Sequence, residues 1–252
     1  MAEIEFILPK EKVPKKTDSP ENIIIYGKPK TGKTTMCANL ENCLLIDLER
    51  GSNKVDAVKV QANSLQELAK IIQAVRKASS PYKYVAIDSV TQLEAWCEWD
   101  ATQDYMRTPM GKSFNRYEDK YDETGKQLAL PRSQWESVLT LPKGGGYFYL
   151  RNSFKKWLNL LLPLAPHVIL IAHVKDASVD IKGKEVTVND LDLTGKIKQI
   201  VAQDADAIGY AFWEDGKLML SFRSKDGSSD GSRCAHLANQ VIPFEWDRIF
   251  ID

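Results

Sequence analysis

The sequence predicts an α/β fold: a mostly parallel central sheet flanked by helices, with a C-terminal antiparallel hairpin. Two patterns predict it. Short, uniformly apolar strand segments alternate with stretches of helical periodicity, the arrangement of a parallel sheet covered on both faces. A glycine turn of the form G-x-x-x-x-G-K-[ST] also joins the first of these strands to a helix. At 252 residues the chain is long enough for one such domain with a substantial core.

The elements follow in order. Residues 1–21 read as an N-terminal arm and linker, with a short apolar arm at 4–8 and a Pro- and charge-rich stretch at 9–21, and 22–252 as the folded domain. The first core strand spans 23–26, the glycine turn follows, and a helix runs over 33–40. Strands at 43–48 and 57–60 precede a helix capped by Ser64, with Leu65, Leu68, Ile71, Ile72 and Val75 on one face. A strand at 84–87 and a helix at 90–106 come next. Residues 107–146 then lose all periodicity, punctuated by Pro109, Gly125, Pro131, Pro142 and three consecutive glycines, and read as an insertion or loop region. A helix at 147–162 leads into a strand at 168–172, and 175–193 reads as a second irregular stretch. After a helix at 196–202, Asp215-Gly216 turns a hairpin between 207–213 and 218–223.

Composition narrows the function. The formal charges cancel, 34 Lys plus Arg against 34 Asp plus Glu, so no global field draws the chain onto nucleic acid or an anionic membrane, and a polyanion must meet a local patch. No apolar run reaches spanning length and no signal peptide is evident, so the expected setting is cytoplasmic, away from membranes. Cys37, Cys43, Cys97 and Cys234 lack metal-ligand or redox spacing and read as reduced residues.

The glycine turn carries the chemistry. Gly27-Lys28-Pro29-Lys30-Thr31-Gly32-Lys33-Thr34 stands after an apolar strand and opens a helix, where a phosphate loop must stand. Its backbone N–H groups and those of the following turn, through Thr35, would cradle the phosphates of ATP. Lys33 would reach the β- and γ-phosphates, and the Thr34 hydroxyl would bind Mg²⁺. Asp88 ends an apolar strand at the rim where α/β sheets bind ligands, which suits a second Mg²⁺ partner or a helix cap. These features predict an Mg-dependent ATP hydrolase.

Four further stretches, in order, resemble the RecA-fold ATPases, particularly the short RecA-like phage proteins of single-strand annealing and recombination. Leu45-Ile46-Asp47-Leu48-Glu49 is similar to the segment bearing the family's catalytic glutamate, which implies that Glu49 activates the attacking water, with Asp47 as the fallback. Ile169-Leu170-Ile171-Ala172-His173 resembles the strand whose terminal polar residue senses the γ-phosphate and leads into a DNA-binding loop. RecA has glutamine there, and His173 departs from it. Asp192-Leu193-Thr194-Gly195-Lys196 resembles the end of that loop, which would assign 175–193 to it. Arg223-Ser224-Lys225 resembles the basic pair that such rings and filaments insert into a neighbour's ATP site. The resemblance thus implies a RecA-like domain, a homo-oligomer with shared ATP sites, single-stranded DNA as partner, and a companion such as a single-strand-binding protein.

Two local clusters bear on DNA. Lys112, Phe114, Arg116, Tyr117, Lys120 and Tyr121 interleave cations with aromatics, as do Lys143, Tyr147, Tyr149, Arg151, Lys155 and Lys156. Acids at 119, 122 and 123 dilute the first, and each cluster also fits a solvated surface. The expected function is therefore an ATPase acting on single-stranded DNA. An ATPase or nucleotide switch working on a protein partner, and a P-loop kinase, are the alternatives.

Overall fold

The structure is a computed structural model that describes residues 10–15, 17–79, 81–114, 117–181, 184–224 and 228–251. Its centre is a sheet of order β12-β10-β9-β1-β7-β4-β2-β3. The parallel part comprises β1 (Asn22–Gly27), β2 (Cys43–Asp47), β3 (Lys59–Gln61), β4 (Tyr84–Asp88), β7 (His167–Ile181) and β9 (Ala207–Glu214). β10 (Lys217–Ser221) returns antiparallel on β9 and β12 (Val241–Pro243) on β10, which forms the expected C-terminal hairpin plus one strand. The two-residue β11 (Gly231–Ser232) pairs with β9. Neither β11 nor β12 is legible as a strand in the sequence, since both are too short for a period.

Alternation along the strands sorts the core into two layers. In β1, Ile24 and Tyr26 join the core beneath α2 (Leu65–Lys77), α3 (Val90–Arg107), α4 (Gly146–Leu161) and α5 (Lys196–Asp204). Ile23 and Ile25 face the other layer, made by α1 (Lys33–Ala38) and the C-terminal segment with Leu237, Phe244, Ile249 and Phe250. All of these strand residues are fully buried, which is why the strands read as continuous apolar runs. Cys37, Cys43 and Cys97 are buried free thiols, and Cys234 is a half-buried one.

The second expected loop is a correction. Most of the described part of 175–193 is regular: β7 continues from the sheet to Ile181 and pairs in register with β8 (Lys184–Leu191). The β-branched residues at 179, 181, 186 and 188 alternate with polar ones, a period-2 signal obscured by the charges between them. The linker is also shorter than expected, because Ser19 and Pro20 are buried and Ser19 accepts a hydrogen bond from the Ile251 amide at 2.8 Å. The apolar arm at 4–8 lies outside the described residues.

Residues 107–146 are mostly irregular as expected, but they hold a small hairpin of β5 (Tyr117–Tyr121) and β6 (Gln127–Ala129). The far end of this region is anchored: the Val138 amide donates to Thr102 Oγ1 at 3.0 Å, and a Cβ on Gly146 would lie 1.9 Å from the Val138 carbonyl oxygen. Gly146→Ala should therefore lower stability by roughly 1–3 kcal/mol, the usual cost of overpacking. An unchanged urea midpoint would show that the Val138 turn yields without cost.

Candidate active site

Because β1, β2, β4 and β7 run parallel, their C-terminal ends share one rim, and the chemistry-bearing residues collect there. The phosphate loop joins β1 to α1. It is tight: Gly32 has φ of 110°, a conformation that favours glycine, and a Cβ on Gly27 would come within 2.6 Å of the Ala211 carbonyl oxygen on β9. Lys28, Pro29 and Lys30 are exposed, and Thr31 is buried, its hydroxyl donating to the Lys28 carbonyl at 2.5 Å. Lys33 is buried and donates to the carbonyls of Gly27 at 2.8 Å and Lys28 at 2.9 Å. Burial lowers its pKa, against the pull of Asp88 and Glu49.

The Thr34 hydroxyl donates to Asp88 Oδ2 at 2.5 Å. Asp88 is buried, and burial raises its pKa; the Thr34 hydrogen bond opposes this, while Glu49 and Asp47 add to it. A hydroxyl and a carboxylate side by side are hard oxygen donors, the kind Mg²⁺ takes one or two of before completing its shell with phosphate and water. Among the described residues no group of three or more His, Cys, Asp and Glu can hold a metal unaided.

Glu49 lies just past β2. His173 Nε2 meets both its oxygens, at 2.9 and 3.0 Å, and the Ser89 hydroxyl donates to one of them. Burial opposes ionisation of Glu49, but the hydrogen bonds from His173 and Ser89 outweigh it and hold its pKa below the ordinary value. Reciprocally, the hydrogen bond with Glu49 raises the pKa of His173. The His173 amide is held by Thr91 Oγ1 at 3.1 Å. Ser89 and Thr91, at the start of α3, were not singled out from sequence; Ser89 is recognisable only as the cap that accepts from the Gln92 amide.

Asp47 has a different place. It is fully buried and accepts five hydrogen bonds, from the amides of Glu49, Gly51 and Ser52, the Ser52 hydroxyl and the Gln61 side chain. Its carboxylate shapes the turn that presents Glu49 and has little capacity left for water. Arg223 does not join the cluster. It is exposed beyond the end of β10, while the opposite end of that strand, at Leu218, packs on the phosphate loop. Lys225 lies outside the described residues.

A family model described as an AAA domain matches residues 19–234, nearly the whole of this sheet and its rim. The chain belongs to this AAA-domain family. The AAA domain so identified, with its phosphate loop set on a parallel sheet, is a P-loop ATPase with the mixed α/β architecture expected. No curated protein matches the chain. Among solved structures it is similar to the RadB recombinase, at 14% identity over 81% of this chain and 80% of that one, with a TM-score of 0.39. A KaiC-like protein from Pyrococcus horikoshii shares 15% identity over 93% and 88% of the two chains (TM-score 0.43). The flagellar accessory protein FlaH from Methanocaldococcus jannaschii shares 14% over 81% and 76% (TM-score 0.34). Likenesses this distant do not bear on what the AAA domain acts upon. Among its described residues no helix is long and apolar enough to cross a membrane.

Proposed function

We propose that the chain is an Mg-dependent ATPase whose hydrolysis is coupled to single-stranded DNA in recombination or annealing. In this reading Lys33 and the loop amides bind the phosphates and Thr34 with Asp88 holds Mg²⁺, which would neutralise charge on the β- and γ-phosphates. Glu49 takes a proton from the attacking water, and His173 steers its carboxylate. The observation that carries the reading is His173 itself: it pairs with Glu49 and lies in β7, the strand that leaves the sheet to form the hairpin with β8. A ligand on that hairpin therefore has a covalent route to the proposed base. The two aromatic and basic clusters also converge, since the Tyr105 ring packs on Phe114 at 5.3 Å and on Tyr149 at 5.4 Å. Arg116 of the first cluster lies outside the described residues.

Phosphate release measured with and without an unstructured oligonucleotide tests this. Stimulation by the oligonucleotide, with binding that weakens steeply as salt rises, is the expected result. One observation favours a protein partner instead: Asp176 and Glu185 are exposed on the hairpin strands, while the Lys175 ammonium is engaged by the Leu193 carbonyl and Asp192, a poor electrostatic match to DNA. Turnover and binding indifferent to oligonucleotide would favour that second reading.

The Glu49 and His173 pair predicts a pH dependence. His173 has a raised pKa and Glu49 a lowered one, so the ion pair is complete between those two values and comes apart as pH rises through the histidine's. The stability it contributes is fully present between glutamate's and histidine's unfolded pKa values, and it is lost as pH falls through the lowered glutamate value or rises through the raised histidine value. If protonated His173 restrains Glu49, turnover should rise through that range in the native chain, and His173→Gln should abolish the rise. A wild-type profile that falls there would reject the restraint.

Arg223 is proposed to act on a neighbour's site. Glu49→Gln and Arg223→Ala proteins should each be inactive, while a mixture regains turnover through interfaces that combine an intact acid with an intact arginine. Activity absent at every mixing ratio would leave Arg223 a surface residue.

A further inference from the structure

The acidic residues of the site stand on one flank of the strand that carries the phosphate loop. Asp88 ends β4, Glu49 follows β2 and its partner His173 lies in β7, and these strands occupy one side of β1 in the sheet. The other side begins with β9. Near the end of β9 stands Trp213, a large aromatic residue that leaves 58% of its surface exposed. Its indole N–H donates to the Thr31 carbonyl of the phosphate loop at 3.0 Å. The ring is thus fixed against the loop by its edge, with its one polar atom satisfied, while more than half of its surface faces solvent. Leu218, across the hairpin turn, closes on the same loop and would meet a Cβ on Gly32 at 3.4 Å.

We infer that Trp213 is the platform on which the base of the nucleotide stacks. This rests on the loop holding a nucleoside triphosphate, as proposed above. The terminal phosphate must face the acids that act on it, so the nucleoside end of the ligand leaves the loop on the opposite flank, where Trp213 is an exposed aromatic residue. An indole whose orientation is already set by a hydrogen bond loses little conformational freedom when a flat base covers it. Stacking is tolerant of base identity, because every base offers a π face. The platform therefore selects for nucleotides over bare polyphosphates and discriminates weakly between purines.

The test is calorimetric titration of the wild type, Trp213→Ala and Trp213→Phe with Mg-ATP and with magnesium tripolyphosphate, which has the phosphates and no base. Trp213→Ala should lose about tenfold in ATP affinity, within the range typical of one base stacked on one aromatic ring. It should bind tripolyphosphate as the wild type does, which also reports that the loop is folded. Trp213→Phe keeps a ring but loses the N–H that fixes it, and for ATP should fall between the wild type and Trp213→Ala. An equal loss for both ligands in Trp213→Ala would mean that the indole only props the loop, and the inference would be wrong. Unchanged ATP affinity in that variant would place the base elsewhere. A wild type that binds tripolyphosphate but gains nothing from the nucleoside would overturn the inference and leave the phosphate site standing, whereas binding of neither ligand would remove the phosphate site and the platform together.

Discussion

Lys33→Ala is expected to lose nucleotide affinity by about a hundredfold or more, the scale of removing charged hydrogen bonds to a phosphate, and with it measurable turnover. The side chain is buried, and its ammonium group is the cation whose charge both Asp88 and Glu49 feel. Its present hydrogen bonds, to two loop carbonyls, hold the ammonium inside the curl of the loop, so little reorganisation precedes contact with phosphate. Without it, two neighbouring carboxylates would face an incoming triphosphate with no lysine to offset them. A thermal melt without nucleotide checks that the variant is folded, and titration with Mg-ATP reads the loss. Normal hydrolysis by a folded Lys33→Ala protein would remove the loop from the chemistry.

Glu49→Gln should bind ATP as the wild type does and hydrolyse it two to four decades more slowly, roughly the loss typical of a general base. The amide is nearly isosteric and can still accept from Ser89, so the turn should survive. What disappears is the capacity to take a proton, together with the charge that raises the pKa of His173. Asp47→Asn provides the contrast. Because the Asp47 carboxylate accepts five hydrogen bonds, its loss should lower the melting temperature before it alters the chemical step. Single-turnover kinetics separates the two. If Asp47→Asn bound ATP normally and stalled while Glu49→Gln turned over, the acids would have been assigned in the wrong order.

Much of this was legible in the sequence because the determinants are local. The phosphate loop requires glycine at position 32, where φ is positive, and a lysine one residue on, so a short motif specifies it. The parallel strands announce themselves by apolar runs, and a shared rim follows from their common direction, which is why Asp88, Glu49 and His173 meet. Other features arise from contacts that no local pattern encodes. Trp213 reaches Thr31 across 182 positions, and Trp246 reaches the Met36 carbonyl of α1 across 210. Neither tryptophan stands out in a window of sequence. The β7 and β8 hairpin was hidden differently: its charges look like loop composition, and only the ladder between the strands shows that every second residue falls on a common face.

β7 has a mechanical consequence. Its 15 residues run unbroken from the buried centre of the sheet out along the hairpin to Ile181, a reach of roughly 50 Å at about 3.3 Å per residue. A loop at that position would absorb displacement by rotating its own backbone. A paired strand bends as one piece, like a cantilever clamped between β1 and β4, and a load on its free end is felt at the clamp. His173 stands where the clamp ends and the free beam begins. Pulling on the hairpin would thus shift the histidine against Glu49 by a lever, and stiffness, more than binding affinity alone, would set how much of a partner's movement reaches the phosphate.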